Sequence, residues 1–237
     1  MLTLLISART TPDRPRAEAI RHLKTVHGPL VYDAPANAGP MPAIYVQNYV
    51  VDDLPLPADL ESWRWDRHLV TEISFEDIGQ LKASTATPYY LEHLRPDEPR
   101  FVDQSSVRPL VMTRAYVGEP GRAAWKLFVY MTAAGTEFRD RWTDAQNKAA
   151  PFCVAQAAGL PVGAPGAPPP FADGVWTLWF STDAEARAFA ADQLPKALEA
   201  FGAHLDPTQG RIVLAEQFDV SRLRLENLTP AKSAFSG

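Results

Sequence analysis

The strongest constraint on the fold is the order in which apolar periodicity switches between two residues and about 3.6. Leu2 to Ala8 reads as a strand, and Arg16 to Val31 carries Ala19, Ile20, Leu23, Val26 and Leu30 at helical spacing. Ala43 to Val51 and His68 to Phe75 are β-rich runs, Asp77 to about Leu94 reads as a broken helix stopped by Pro96, and Leu110 to Val117 is a further strand. The same order returns as strand Trp125 to Met131, helix Thr136 to Ala158, strand Val175 to Phe180, helix Asp183 to Phe201 and strand Arg211 to Phe218. Only one strand of the second series is missing. The run Gly159 to Pro170 takes its place, and its prolines cannot donate to a ladder. Asp77 and Asp183 stand where helix N-caps are expected.

This order is that of the split βαβ arrangement, so the expected class is α+β: two ferredoxin-like halves closing as a pseudo-dimer into an α+β barrel. The expected division is a first repeat over 1–120, a second and degenerate repeat over 121–225, and a tail over 226–237. A chain of 237 residues with 46% hydrophobic residues can bury a core without staples. The formal net charge is −5 with no basic block, which argues against nucleic acid as a partner. Cys153 is the only cysteine and there are five scattered histidines, so neither a disulfide nor a usual zinc site is expected. Apolar runs are too short to span a membrane, and Met1 to Leu5 lacks the charged start of a secretory signal, so a cytoplasmic location is expected. No phosphate loop, dinucleotide fingerprint or nucleophile elbow is present, and no cofactor is expected.

The segment Arg21-His22-Leu23-Lys24-Thr25-Val26-His27-Gly28-Pro29-Leu30-Val31 resembles the signature of the EthD family, where a helix ends in a His-Gly/Ala-Pro-Leu turn. Ile44 to Asn48 resembles that family's second strand, and Asp97 to Asp103 with Val111 to Arg114 its closing segment. In the second half Glu137-Phe138 and Trp142 keep the pattern, but Gln146-Asn147 stands where the first half has His27-Gly28, as in a degenerate tandem copy. The resemblance implies a dimeric α+β barrel, shared with cofactor-free isomerases, cyclases, decarboxylases and quinone-forming monooxygenases.

His27 is the expected acid/base group, placed at a helix C-terminus before Gly28-Pro29. His22, five positions earlier, is turned away from it on a regular helix and is expected in solvent. Tyr45, Gln47 and Tyr49 share one strand face, expected to line the barrel, with Tyr45 holding a substrate oxygen and Gln47 and Tyr49 contacting substrate. Tyr32 and Trp65 are further candidates for substrate contact. Glu72 is expected to be either a second acid/base group, raised by burial or steadying the imidazole, or the partner of Arg114. Trp176 and Trp179 fall on opposite strand faces, and Cys153 is expected to be an inert helix thiol. Together these residues predict a cofactor-independent lyase, isomerase or cyclase acting on an oxygenated aromatic, polyketide-like or lactone substrate. A cofactor-free monooxygenase of phenols and a non-catalytic carrier barrel are the alternatives. The chain is expected to be a monomeric pseudo-dimer or a homodimer.

Overall fold

The computed structural model describes residues 1–163 and 169–221. Its eight strands are β1 (Leu2–Ala8), β2 (Ile44–Val50), β3 (Leu69–Phe75), β4 (Arg108–Gly118), β5 (Trp125–Met131), β6 (Ala155–Pro161), β7 (Gly174–Phe180) and β8 (Arg211–Asp219). They close into one antiparallel barrel in the order β1-β3-β2-β8-β5-β7-β6-β4. The fold is therefore mixed α+β, built on a barrel of the ferredoxin-like kind. Pairing of β2 with β8 (Val50 opposite Ala215) and of β4 with β6 (Arg114 opposite Gly159) joins the two stretches of chain into a single sheet. No described helix is long and apolar enough to cross a membrane.

Three sequence expectations are corrected here. The strand that looked lost is β6, paired along its length with β4 and β7. Its residues Ala155-Gln156-Ala157-Ala158-Gly159 have little β propensity and extend a helical pattern, so local preference pointed to a helix reaching Ala158. Small residues are needed there, because a Cβ on Gly159 would lie 2.3 Å from the Met112 sulfur in the lumen. Secondly, the helix instead ends near Phe152. Thirdly, the cap expected at Asp183 belongs to Thr182, whose hydroxyl accepts from Glu185 N while the Glu185 side chain accepts from Thr182 N, a capping box. Asp77 does cap its helix, accepting from Gln80 N at 2.9 Å. The proposed tail 226–237 and part of the proline-rich run lie outside the described residues.

Strand alternation sorts the side chains into a lumen set and an outer set. Leu5, Val50, Val70, Leu110, Met112, Phe128, Tyr130, Val175, Val213 and Ala215 fill the lumen. Between them Glu72, 2% exposed, accepts hydrogen bonds from Lys126, Arg114 and Asn48. On the outer face of β5, β7 and β8, helices α4 (Trp142–Ala149), α5 (Asp183–Ala188) and α6 (Leu194–Leu198) pack Trp142, Phe189, Leu194 and the following Phe201 onto Trp176, Leu178 and Phe180. Trp179 faces inward instead, against Ala155 and Ala157. On the outer face of β1, β2 and β3, helices α1 (Arg16–His22), α2 (Gly28–Tyr32) and α3 (Ile78–Ser84) leave a gap.

Burial opposes charge on Glu72, but Lys126 and Arg114 outweigh it and lower its carboxyl to about 2. A folded pKa below the unfolded value of about 4.3 stabilises the fold above that pH, and the contribution, about 3 kcal/mol, is lost as pH falls through 2. Glu72→Gln is expected to cost several kcal/mol at pH 7, since it strands two cations, with the gap to wild type closing below pH 4. Thermal melts from pH 7 to pH 2 check this; a constant gap would contradict it.

Candidate active site

The gap is a cavity of about 310 Å³ between the outer face of the sheet and the helices. Leu4, Ile6, Tyr45, Thr71 and Ile73 form its floor, and His27, Tyr90, Leu94, Glu98 and Phe101 form one wall. Most of the lining is apolar, so polar groups reaching it act with little competition from water.

His27 is placed by an irregular turn. Helix α1 runs into a wider π-type turn over Leu23–His27, where Gly28 N donates to Leu23 O, five residues back. Pro29 then opens α2 without an N–H to donate. The helix thus continues past His27 to Tyr32, which corrects the expected C-terminal position. The added residue also changes the phase. On a regular helix residues five apart point in clearly different directions, but across a π-turn they come to one side. His22 and His27 consequently meet the same carboxylate: His22 Nε2 lies 2.8 Å from Asp97 Oδ1, and His27 Nδ1 lies 3.1 Å from Asp97 Oδ2. His22 is therefore not free in solvent.

Burial raises the cost of ionising Asp97, but hydrogen bonds from His27 and His22 outweigh it and hold its carboxyl below the usual range. An ionised Asp97 can only accept, so His27 Nδ1 carries a proton toward it, and in the neutral ring the lone pair is then on Nε2. The ring is 7% exposed, lines the cavity and leans on Phe101 with centroids 4.7 Å apart. This is the carboxylate–imidazole arrangement of a general base.

Tyr45, Gln47 and Tyr49 also face outward, beneath the helix, not into the lumen as expected. The β2 face toward the lumen is the one bearing Asn48 and Val50. Gln47 is fully buried and organises this row: its Nε2 donates to Leu23 O at 3.3 Å and to Tyr45 Oη at 3.2 Å, and its Oε1 accepts from Tyr49 Oη at 2.6 Å. Because Tyr45 Oη accepts from Gln47, its own proton is available to the cavity it lines. Burial pushes the phenol above its ordinary pKa, so it stays a donor. Tyr90 donates to Glu98 at 2.9 Å, and burial together with that carboxylate pushes its phenol up to about 12.

The remaining candidates sit elsewhere. Glu72 is in the lumen, on the opposite face of the sheet from His27, and its pKa moves down and not up. Trp65 packs on Tyr130 and Phe171 at one mouth of the barrel. Tyr32 and Tyr49 pack beside the cavity, Tyr32 with Val31 and Leu94 and Tyr49 with Ala19 and Leu23. Sequence reasoning missed Asp97, Glu98 and Tyr90. Asp97 follows Pro96 in the segment that resembles the EthD closing region, which was the one signal available. Among the described residues, no group of three His, Cys, Asp or Glu side chains is placed to hold a metal ion.

Comparison with known families gives a match to the EthD domain over residues 11–105, less than half of the chain. No curated protein sequence matches. Among solved structures, an anthrone oxidase-like protein superposes with a TM-score of 0.63 at 11% identity, over 92% of this chain and 93% of that one. A candidate monooxygenase from Lactobacillus acidophilus NCFM gives 0.53 at 10% identity, over 91% and 93%. A chlorite dismutase variant from Candidatus Nitrospira defluvii gives 0.51 at 11% identity, over 96% of each. Identities this low establish the shared fold alone. They also correct the expectation of a tandem EthD protein: the family match stops at residue 105, and the structural matches run across one continuous barrel.

A Cβ added at Gly28 would lie 3.3 Å from both Gln47 Nε2 and Leu23 O. Helix propensity alone favours Gly28→Ala by about 1 kcal/mol. The crowding predicts no such gain, so the melting temperature of Gly28→Ala should equal or fall below that of wild type; a rise of several degrees would show that Gln47 is not held by this turn.

Proposed function

We propose that the chain oxygenates a flat, enolisable or phenolic aromatic compound, using His27 as general base and the substrate's own anion as reductant of dioxygen. The observation that carries this reading is the Asp97–His27 pair, with His27 and Tyr45 both lining one largely apolar cavity. His27 Nε2 takes a proton from the carbon or hydroxyl next to the ring system, while Tyr45 donates to the oxygen on which negative charge develops. For an anthrone-type methylene the balance is CH2 plus O2 giving C=O plus H2O. Two C–H bonds break, one oxygen atom enters the product and the other leaves as water, with His27 returning its proton to the departing oxygen. The likeness of fold to an anthrone oxidase-like protein and to a candidate monooxygenase supports oxygenation over the rearrangement or lyase chemistry that the same base could also perform.

The sheet order is the same in the two stretches of chain, β4-β1-β3-β2 and β8-β5-β7-β6, which supports reading 1–120 and 121–225 as ferredoxin-like units that complete one another's barrel.

Oxygen uptake with anthrone and with a naphthol, in air and under nitrogen, tests the proposal. Turnover in air alone is expected, with His27→Asn lowering kcat/KM by about 10²–10⁴-fold. Asp97→Asn should lower it at least tenfold, because a neutral amide no longer fixes the tautomer. Equal turnover under nitrogen would make the chain a proton-transfer isomerase or lyase, and binding without product would make it a carrier.

A further inference from the structure

A second feature lies at the end of the barrel marked by Trp65, away from the cavity. Ser7 and Tyr130 come from β1 and β5, on opposite walls, and their hydroxyls meet across the lumen at 2.8 Å. In the strand register Ser7 is opposite Arg108 and Tyr130 is opposite Arg211. Directly paired residues of an antiparallel ladder share a face, so Arg108 and Arg211 project on the lumen side at this same level. A third guanidinium, Arg67, stacks on Trp65 with Cζ 4.3 Å from the ring centroid, and Arg211 Cζ lies 5.7 Å from the same centroid. Trp65 in turn meets Tyr130 edge-on and tilts against Phe171. Three cations thus surround an aromatic plug.

Their partners among the described residues are not carboxylates. Arg67 donates to Asp66 O, Arg108 to Ser105 O and Val107 O, and Arg211 to Gln209 O, all main-chain carbonyls. Arg67 Nε is buried without any partner. The neighbouring Asp66 carboxylate is engaged by Arg9 at 3.3 Å. Such a concentration of positive charge is notable in a chain whose net charge is −5. Burial, and after it Arg108, Arg9 and Arg211, outweigh the opposing Asp66 carboxylate and hold Arg67 below the usual guanidinium value. An anion set among these groups would relieve that repulsion and offer an acceptor for planar, forked donors.

We propose that the Arg67–Arg108–Arg211 mouth is a binding site for a small oxyanion, a carboxylate or a phosphate, distinct from the His27 cavity. The site sits against Trp65, so occupancy should alter its fluorescence as well as the stability of the fold.

The test is titration of the full chain with inorganic phosphate and, separately, succinate at fixed ionic strength, read by calorimetry and tryptophan fluorescence. Saturable binding of one or both is expected, the stronger arm identifying the anion class. Arg67→Gln should weaken it at least tenfold, while Arg139→Gln, which removes an exposed charge elsewhere, should leave it unchanged. If Arg67→Gln fails to fold, the Arg108→Gln/Arg211→Gln double variant carries the same expectation. No saturable binding in wild type, equal binding in the arginine variants, or an equal loss in Arg139→Gln would each overturn the proposal.

Discussion

A carboxylate held between two cations inside a closed sheet decides where open space is left in this chain. Glu72, Lys126 and Arg114 satisfy one another in the lumen, with apolar side chains around them, so the interior of the barrel is core and not pocket. The trio is costly to break, because removing either sign leaves the other buried and unpaired. The open space lies on the outer face, and there the two stretches of chain differ. Trp142, Phe189, Leu194 and Phe201 fill the space over one part of the sheet, whereas the helices over β1, β2 and β3 leave room.

Within that room a single irregular turn sets the geometry. The Leu23–His27 turn brings His22 and His27 onto one carboxylate, and Leu23 O, which already accepts from Gly28 N, also receives Gln47, which orients Tyr45. His27 and Tyr45 are thus tied to the same turn from two sides. Displacing the turn by one residue would move both at once.

The sequence made strand positions legible, because alternation and apolar spacing are local properties. Seven of the eight strands follow from them. What it hid was of three kinds. The small-residue strand β6 carries no local β preference and exists because β4 and β7 accept it and Met112 needs the space over Gly159. The pairing of His22 with Asp97 was hidden because a regular 3.6-residue helix was assumed, and a π-turn has no compositional mark. The face of Tyr45 was also misjudged: alternation tells which residues share a face of β2, but only the packing of Asn48 on Glu72 tells which face looks inward.

Closure of the sheet has a consequence for how this molecule meets others. Among the described residues every strand has a hydrogen-bonded neighbour on both sides, so none of these strands presents an open edge to recruit another strand. A second copy or a pathway neighbour cannot extend this sheet. It must approach through helices, loops or side chains, and such contacts can be altered by surface substitution without disturbing the ladder that holds the barrel together.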